Sequence, residues 1–529
     1  MAVPGAPVSL SRRRLLRLGG IGAAAVVLDA WAGGRRLATA PAAKALTGRD
    51  WSRLAKQLSG HLSLPSSPSY GTDLELYDPR FDVVHPAGIA FCANKFDVAR
   101  CVSFAREHRL ALAPRSGGHS YGGYSTTTGL VIDLGKMSSI LVRVDDRSAV
   151  IGAGASLIDV YSSLAAQGVS IPAGSCPTVG IAGLALGGGI GVLGRMFGLT
   201  CDHITRLELV TAAGDIVQAS PATNPDLYWA CRGGGGGNFG VVTKFEFATF
   251  PVMPLHLFSL DWPWASSAAL LPAWLEWVSS APHEMWSNLS FAATPGYAEP
   301  TAHVGGVWAG GTSGAQVEIS KLISAVGQPS AWSLAENDFK RAMFIEAGCE
   351  DLSQVECHLA GTGPGGELPR SVLLAKSDMI NGPLSTSGVD AVLKGIRQRQ
   401  AEGAGGSVLF DSWGGAIGRV PVSATAFVHR RAIASAQYLA EFGPAASPAA
   451  LAAARSWLEE WYASLRPYMS GEAYQNYIDP QLPDWAHAYY GSNLPRLEQV
   501  KARWDPDNVF HFAQSIPLAP LPRSSTSSR

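Results

Sequence analysis

The residues best suited to chemistry lie in two glycine turns. The first, Arg115-Ser116-Gly117-Gly118-His119-Ser120, carries a histidine near its end; the second, from Gly174 to Gly194, carries Cys176 near its head. Imidazole and thiolate are nucleophiles that can bond covalently to an electrophilic carbon. The glycines around them serve another purpose. Eight of them, Gly174, Gly180, Gly183, Gly187, Gly188, Gly189, Gly191 and Gly194, make the second stretch a poor helix and a poor strand, because each loses extra backbone entropy on ordering. Such a stretch suits a place where backbone approaches a ligand closely and offers N–H groups to an anion. Taken singly, each feature has a plainer reading: a packed turn, a loop histidine bonded to backbone, a small core cysteine. A third group contains Tyr474, in Tyr474-Gln475-Asn476-Tyr477, and Asp411, in Leu409-Phe410-Asp411-Ser412-Trp413. A phenol or a carboxylate can take a proton from a substrate.

One motif is a decoy. Gly189-Ile190-Gly191-Val192-Leu193-Gly194 fits G-x-G-x-x-G, with Asp215 about 20 residues on, as a dinucleotide fingerprint requires. No clean strand precedes it, and Met196-Phe197-Gly198-Leu199 does not start an amphipathic helix.

The elements that must hold these groups follow from periodicity. Residues 87–92 read as a strand, 96–108 as a helix with Val98, Cys101, Val102 and Ala105 on one face, and 112–115 as a strand delivering the histidine turn at its carboxyl end. Short strands at 130–134 and 149–152, a helix at 157–167 and a hairpin of 206–211 with 216–219 follow. The texture changes at about Pro251. From there to Tyr462 strands and helices alternate, with tryptophans expected in core packing. The clearest helices are 388–398 and 448–465, the latter with Ser447 as N-cap and Pro448 as first residue.

The order RSGGH, GSCPTVGIAG, GGGIG, WACRGGGGGNFGVVT resembles the berberine bridge enzyme-like family, within the vanillyl-alcohol oxidase superfamily. The resemblance runs from about Asp82 to Pro517, strong in the glycine segments and the C-terminal tail and thin in the middle. It implies an α+β fold: a two-subdomain PCMH-type FAD-binding domain, then an α+β substrate domain whose antiparallel sheet is backed by helices. The expected divisions are a signal at 1–40, a surface linker at 41–75, the FAD-binding domain at 76–252, the substrate domain at 253–462, a C-terminal segment at 463–520 that returns to complete the FAD domain, and a disordered tail at 521–529.

The resemblance also implies roles. His119 would bond to the flavin 8α-methyl and Cys176 to ring carbon 6, giving a bicovalent FAD with a raised reduction potential. Arg115, Ser116, Gly117, Gly118 and Ser120 would cradle the diphosphate. Gly180, Ile181, Gly183, Gly187, Gly188 and Gly189 would continue that wall, and Gly240 and Val242 would meet the ring or the adenine. Relatives often carry a histidine where Leu184 stands. Val179 occupies a gate over the oxygen-reactive face, where a small residue resembles the oxidases and a bulkier one the dehydrogenases. Tyr474 would be the catalytic base, its pKa lowered from about 10 by flavin, hydrogen bonds and a nearby cation. Asp411 would pair with it if its strand face lines the pocket; the alternative is a solvent-side carboxylate. Trp413 stands where some relatives have a second catalytic tyrosine, and Asn476 and Tyr477 would position flavin or substrate. The implied activity is an oxidase transferring hydride from an alcohol, a sugar or a glycosylated or secondary-metabolite hydroxyl, to flavin N5, with O2 reduced to H2O2. A dehydrogenase with another acceptor, an oxidative cyclisation, and a flavin-binding protein with little turnover are the alternatives.

Composition bounds the rest. A chain of 529 residues with a net charge of −1 has room for several domains. It has no lysine-arginine block in its body to suggest nucleic acid or an anionic membrane as partner. Residues 11–17, SRRRLLR, resemble a twin-arginine export signal, followed by an apolar run from Leu18 to Leu28 and by Ala38-Thr39-Ala40, an A-x-A cleavage pattern. That run is too short to span a bilayer. Export of an already folded protein suits a cofactor loaded before transport. Of seven cysteines, Cys349 and Cys357 are close enough in a polar segment to form a disulfide outside the cytoplasm, and Cys92, Cys101, Cys201 and Cys231 are expected as buried thiols. No C-x-x-C or His-x-x-x-His spacing points to a metal.

Overall fold

The structure, a computed structural model, describes residues 46–519 except 362 and 364. The signal expected at 1–40 and the tail at 521–529 lie outside the described residues. The first layer is a mixed sheet of β1 (His61–Ser63), β2 (Gly88–Phe91), β3 (Leu112–Arg115) and β4 (Leu130–Asp133), in spatial order β1-β2-β4-β3. β2, β4 and β3 are parallel, and β4 is buried along its whole length, as parallel strands covered on both faces are. The helix Lys95–His108 makes the crossover from β2 to β3. Asn94 caps it, accepting from the N–H groups of Phe96 and Asp97, and Val98, Cys101, Val102, Phe104 and Ala105 are buried.

The described part of the linker expected at 41–75, residues 46–75, is instead part of this domain. β1 adds antiparallel to β2, and the helix Gly48–Gln57, closed by a Thr47–Asp50 capping box, buries Leu54. The Asp97 carboxylate accepts from the N–H groups of Ser59 and Gly60, both at 2.9 Å, and holds the turn between them. A three-residue strand is too short to show a period, and its pairing partner is remote in sequence.

The second sheet is antiparallel. It contains β5 (Ile140–Arg143), β6 (Ser148–Gly152), β8 (Ile204–Val210), β9 (Ile216–Ala219) and β10 (Val241–Ala248) in the order β5-β6-β10-β8-β9; β7 (Val169–Ser170) pairs separately with β11 (Phe250–Pro251). The segment after the decoy motif is a four-residue helix, Gly194–Phe197, and Asp215 belongs to the hairpin turn between β8 and β9, so the dinucleotide reading fails here as expected.

The third sheet is antiparallel throughout: β12 (Leu255–Trp262), β13 (Met285–Ala293), β14 (Thr301–Trp308), β15 (Ala331–Asn337), β16 (Val372–Ile380), β17 (Gly406–Ser412) and β18 (Ala434–Phe442), in the order β15-β12-β14-β13-β17-β18-β16. Helices Ser267–Ser280, Thr312–Val326, Thr386–Ala401 and Pro448–Leu465 back it. Ser447 caps the last of these, as its sequence requires. Trp457 and Trp461 donate to the carbonyls of Gly395 and Ala391, and a Cβ on Gly395 would sit 2.2 Å from the Trp461 indole nitrogen. Trp262, Trp264, Trp274, Trp277, Trp286 and Trp308 are all buried.

The tail returns to the first domain through polar anchors. The ammonium of Lys501, fully buried, donates to the carbonyl of Asn238 at 2.8 Å and to Asp505 at 2.6 Å, and also to the Phe510 carbonyl. Asn238 in turn accepts from Ile516 N–H at 2.9 Å, and the Tyr490 hydroxyl reaches the Gly234 carbonyl at 3.2 Å. Burial pulls the Lys501 pKa down while Asp505 holds the ammonium charged. Removing one partner of a buried ion pair leaves the other charge uncompensated. Lys501→Met is therefore expected to lower stability by about 3–5 kcal/mol, read by urea unfolding; a loss within the scatter of surface substitutions would show that the tail is held elsewhere.

Candidate active site

A cavity of about 730 Å³ opens between the two glycine turns, the glycine run at 235–237 and the helix-free face of the third sheet. The two turns interlock through bare backbone. A Cβ on Gly117 would lie 2.3 Å from Gly180 N, and one on Gly180 would lie 2.3 Å from Gly117 N and 2.1 Å from the Ser116 hydroxyl. This contact brings His119 and Cys176 to the same cavity. Cys176 is exposed and unpaired, whereas Cys92, Cys101, Cys201 and Cys231 are buried free thiols. The His119 Nε2 lies 2.9 Å from the Thr178 hydroxyl, and its ring stacks on Tyr77 with centroids 4.0 Å apart.

Most of the residues expected on the wall are there. Ser116, Gly117, Gly118 and Ser120 line the cavity, Gly118 at φ +69°. The Ser116 hydroxyl is turned to the Ala153 carbonyl, 2.6 Å away, and that of Ser120 accepts from Tyr124 N–H. Val179, Gly180 and Gly183 follow, with Gly240 and Val242 beyond them. Leu184 also lines the cavity, and its carbonyl accepts from the Asn476 amide at 3.0 Å.

Five expectations are corrected. The Arg115 guanidinium is buried, pairs with Asp133 and donates to the Asp73 carbonyl at 2.8 Å, so it secures the end of β3 and is not on the wall. Ile181 is a core residue. Gly187, Gly188 and Gly189 lie behind the wall. Their lack of side chains answers other needs: a Cβ on Gly187 would meet the Asn476 amide at 1.9 Å, Gly188 packs on Phe427 at φ +124°, and Gly189, at φ +86°, gives its N–H to Tyr474.

Tyr474, Asn476 and Tyr477 all line the cavity. The Tyr474 ring is 1% exposed, and its hydroxyl oxygen accepts from Gly189 N–H at 2.8 Å and from the Asn476 amide at 2.9 Å. Burial pushes its phenol up, and the two neutral donors pull it only part of the way back. The lowered pKa expected from the sequence is thus not a property of this protein surface alone. Asp411 is buried, not solvent-side, on β17 between Asn288 and Ser435. Its face is the cavity face, since Ser407 and Leu409 line the cavity, but Asp411 is one step beyond the lining residues. Trp413 is fully buried, parallel to Phe427 and edge-on to Tyr474.

Several cavity residues escaped the sequence reading. Gly235 and Gly237, at φ +85° and +73°, flank Gly236, whose Cβ position has no neighbour closer than 3.8 Å. The Gln475 amide donates to the carbonyls of Gly187, at 2.7 Å, and Gly233, which leaves its buried oxygen without a protein partner. Gln437, from β18, donates to the Tyr121 hydroxyl at 3.0 Å, and Tyr121 lies parallel to Tyr477 with centroids 5.9 Å apart. Tyr121 directly follows the histidine turn and Gln475 stands between Tyr474 and Asn476, so both could have been found from position; Gln437 carries no such signal. Backbone N–H groups unencumbered by side chains, an orphaned buried oxygen, an exposed thiol and an imidazole on one wall fit a flavin dinucleotide.

Comparisons with known proteins agree. Residues 86–220 match the FAD binding domain family and 473–517 the berberine and berberine-like family. The FAD-linked oxidoreductase YgaK of Bacillus subtilis is 35% identical over 479 residues, covering 88% of this chain and 98% of its own. Among solved structures, BBE-like 1 of Physcomitrella patens superposes with a TM-score of 0.80 at 31% identity, covering 89% of this chain and 99% of that one. A chitooligosaccharide oxidase gives 0.80 at 26% identity, covering 89% and 100%. The fold and site thus define a PCMH-type FAD protein. The chain belongs to the berberine bridge enzyme-like FAD-linked oxidoreductases.

One flank of the cavity is a small lobe formed by the described residues of 347–361 and 365–371. The disulfide Cys349–Cys357 staples it, with Cα atoms 6.0 Å apart and both sulfurs buried. Its apolar centre (Ala347, Leu359 and Leu368 with the cystine) packs on Ile158, Phe344 and Tyr77. His358 Nε2 reaches Asp159 at 3.0 Å and Ser156 at 3.3 Å, and Ser156 bridges to Gly180. Burial raises the Asp159 carboxyl, but bonds from His358, Ser156 and Gln354 outweigh it and bring it down to about 2. The Asp159 partner raises His358 above its ordinary 6.5. Asp159 therefore stabilises the lobe above its ordinary 3.8 and ceases to as pH falls towards about 2; His358 does so below 6.5 and ceases to as pH rises through its raised value. Protease cleavage at 350–358 is expected to be slowest between those limits and to accelerate as pH rises through the raised His358 value, an acceleration that His358→Ala removes.

Proposed function

We propose that this oxidoreductase holds its FAD bicovalently, through His119 and Cys176, and oxidises an alcohol, the hydroxyl of a sugar or of a glycosylated or secondary metabolite, with dioxygen as electron acceptor. The observation that carries this reading is the opening of both nucleophiles, one of them an exposed thiol among otherwise buried ones, onto a single cavity. Its export by the 1–40 segment is part of the same reading, as folded export suits a preloaded cofactor.

Bound there, the flavin supplies a hydride acceptor at N5 and a ring that dioxygen can reoxidise. The chain supplies the rest. The turn from Ser116 to Ser120 and the bare pair Gly236-Gly237 offer backbone N–H groups to phosphate oxygens, the Gly235 N–H being given to the Leu186 carbonyl at 2.9 Å. The Gln475 oxygen is positioned to accept one bond from the ligand, its amide being committed elsewhere. Tyr474 takes the substrate hydroxyl proton, and the N–H groups of Gly189 and Asn476 hold the phenolate that results. The half-buried Tyr121, which receives the Gln437 N–H, is the second candidate for that proton, favoured by the deep burial of Tyr474. Val179, half-buried on the wall, is a small side chain that would leave a bound flavin accessible to dioxygen. The similarity to a chitooligosaccharide oxidase supports a carbohydrate among the substrates.

Denatured protein is expected to stay yellow in the wild type and to lose its pigment only when His119 and Cys176 are both replaced. Pigment that washes free of the wild type excludes covalent attachment. A screen of sugars and alcohols for peroxide identifies the substrate class. On the best substrate, loss of the base in Tyr474→Phe is expected to slow anaerobic flavin reduction by about 10²–10⁴-fold. If Tyr121→Phe does this and Tyr474→Phe does not, Tyr121 is the base. Reoxidation in air is expected to be fast and to slow in Val179→Ile; slow reoxidation that the substitution leaves unchanged would point to a non-oxygen acceptor.

A further inference from the structure

His119 is held on two sides by groups that the FAD reading does not assign. Thr178 lies two residues beyond Cys176 and is 7% exposed, with its hydroxyl 2.9 Å from the imidazole Nε2. Tyr77 covers the ring face, with 21° between the planes. Tyr77 is itself fixed at both backbone groups: its N–H donates to the Gly118 carbonyl at 3.3 Å, and its carbonyl accepts from Ser371 N–H at 3.2 Å. Its side chain packs on the apolar centre of the disulfide lobe. A hydrogen bond at one imidazole nitrogen decides which nitrogen remains available, and a stacked face decides the plane in which it is presented. Three separate segments, at 77, 119 and 178, therefore meet at one side chain.

We propose that Thr178 and Tyr77 are positioning residues that clamp His119 for attachment to the flavin, so that the loop bearing one flavin nucleophile orients the other. This rests on the bicovalent reading above. Attachment forms an N–C bond between the imidazole and the 8α carbon as the imidazole N–H and one methyl C–H are broken. The two protons and two electrons released reduce dioxygen to hydrogen peroxide. Thr178 and Tyr77 take no part in that exchange. They hold the ring while it occurs.

The test reads attachment, not turnover. Holoprotein is digested, and mass spectrometry assigns flavin to the His119 peptide, to the Cys176 peptide, or to both bridged together. Wild type is expected to give the bridged species. Thr178→Val, which keeps the volume and removes the hydroxyl, is expected to lower it about tenfold, the scale on which an imidazole suffers when its orienting partner is removed, leaving flavin on Cys176 alone. Thr178→Ser should restore the bridge, and Tyr77→Phe should keep it where Tyr77→Leu does not. The surviving thioether shows that the loop is folded in each variant. Bridging in Thr178→Val at the wild-type level overturns the clamp. Loss of both links together also overturns it, since Thr178 would then act through the loop as a whole. Flavin released from wild type on denaturation is a separate failure, that of the bicovalent reading.

Discussion

The contact on which this site depends is the passage of one bare backbone across another, at Gly117 and Gly180. Nothing larger than hydrogen fits at either position, with Cβ atoms falling 2.3 Å from the opposing amide nitrogens. At that separation any side chain forces one turn away from the other. His119 and Cys176, two and four residues from the crossing, would move with them. The hydrogen bond from His119 to Thr178 spans the same junction. The approach of the imidazole to the thiol loop is thus set by a steric exclusion, with polar contacts refining it.

Around that crossing the structure uses carbonyls as fastening points. The C-terminal segment is returned to the glycine-rich wall by side chains that donate to main-chain oxygen: Gln475 to Gly187 and Gly233, Asn476 to Leu184, Tyr490 to Gly234, and Lys501 to Asn238. Glycine runs cannot bury apolar side chains against a partner, so hydrogen bonds to their backbone replace hydrophobic contact there. The third sheet is different. Its helix side is closed by tryptophans and aliphatics packed in the ordinary way, which leaves the opposite face open to carry cavity residues such as Ser407, Leu409 and Gln437. The disulfide lobe completes the enclosure, packing on Tyr77 and bonding to Asp159 beside the Cys176 loop.

The glycines show how far a sequence can be read. Their concentration in 174–194 correctly points to a segment built for close approach. It does not say what approaches. Gly183 faces open space on the cavity, whereas Gly187 makes room for Asn476, and Gly188 for Phe427, both from distant parts of the chain. Arg115 gives a similar lesson, since a guanidinium beside a glycine turn suits a phosphate equally well as a buried Asp133. The type of residue limits its possible partners, and only the packing selects among them.

Sequence alone determined the strands of the first two sheets at 87–92, 112–115, 130–134, 149–152, 206–211 and 216–219, the Ser447 cap, the order of the flavin segments and the presence of an imidazole and a thiol near glycine turns. Those are local properties, carried by period, capping chemistry and backbone freedom. Tertiary structure decided the rest. It placed β1 in the first sheet, buried Tyr474 under two N–H donors, joined Gln437 to Tyr121, and enclosed His119 between Tyr77 and Thr178. Each of these joins residues far apart along the chain. Local propensity carries no record of such pairings, because they form only when separate layers pack together.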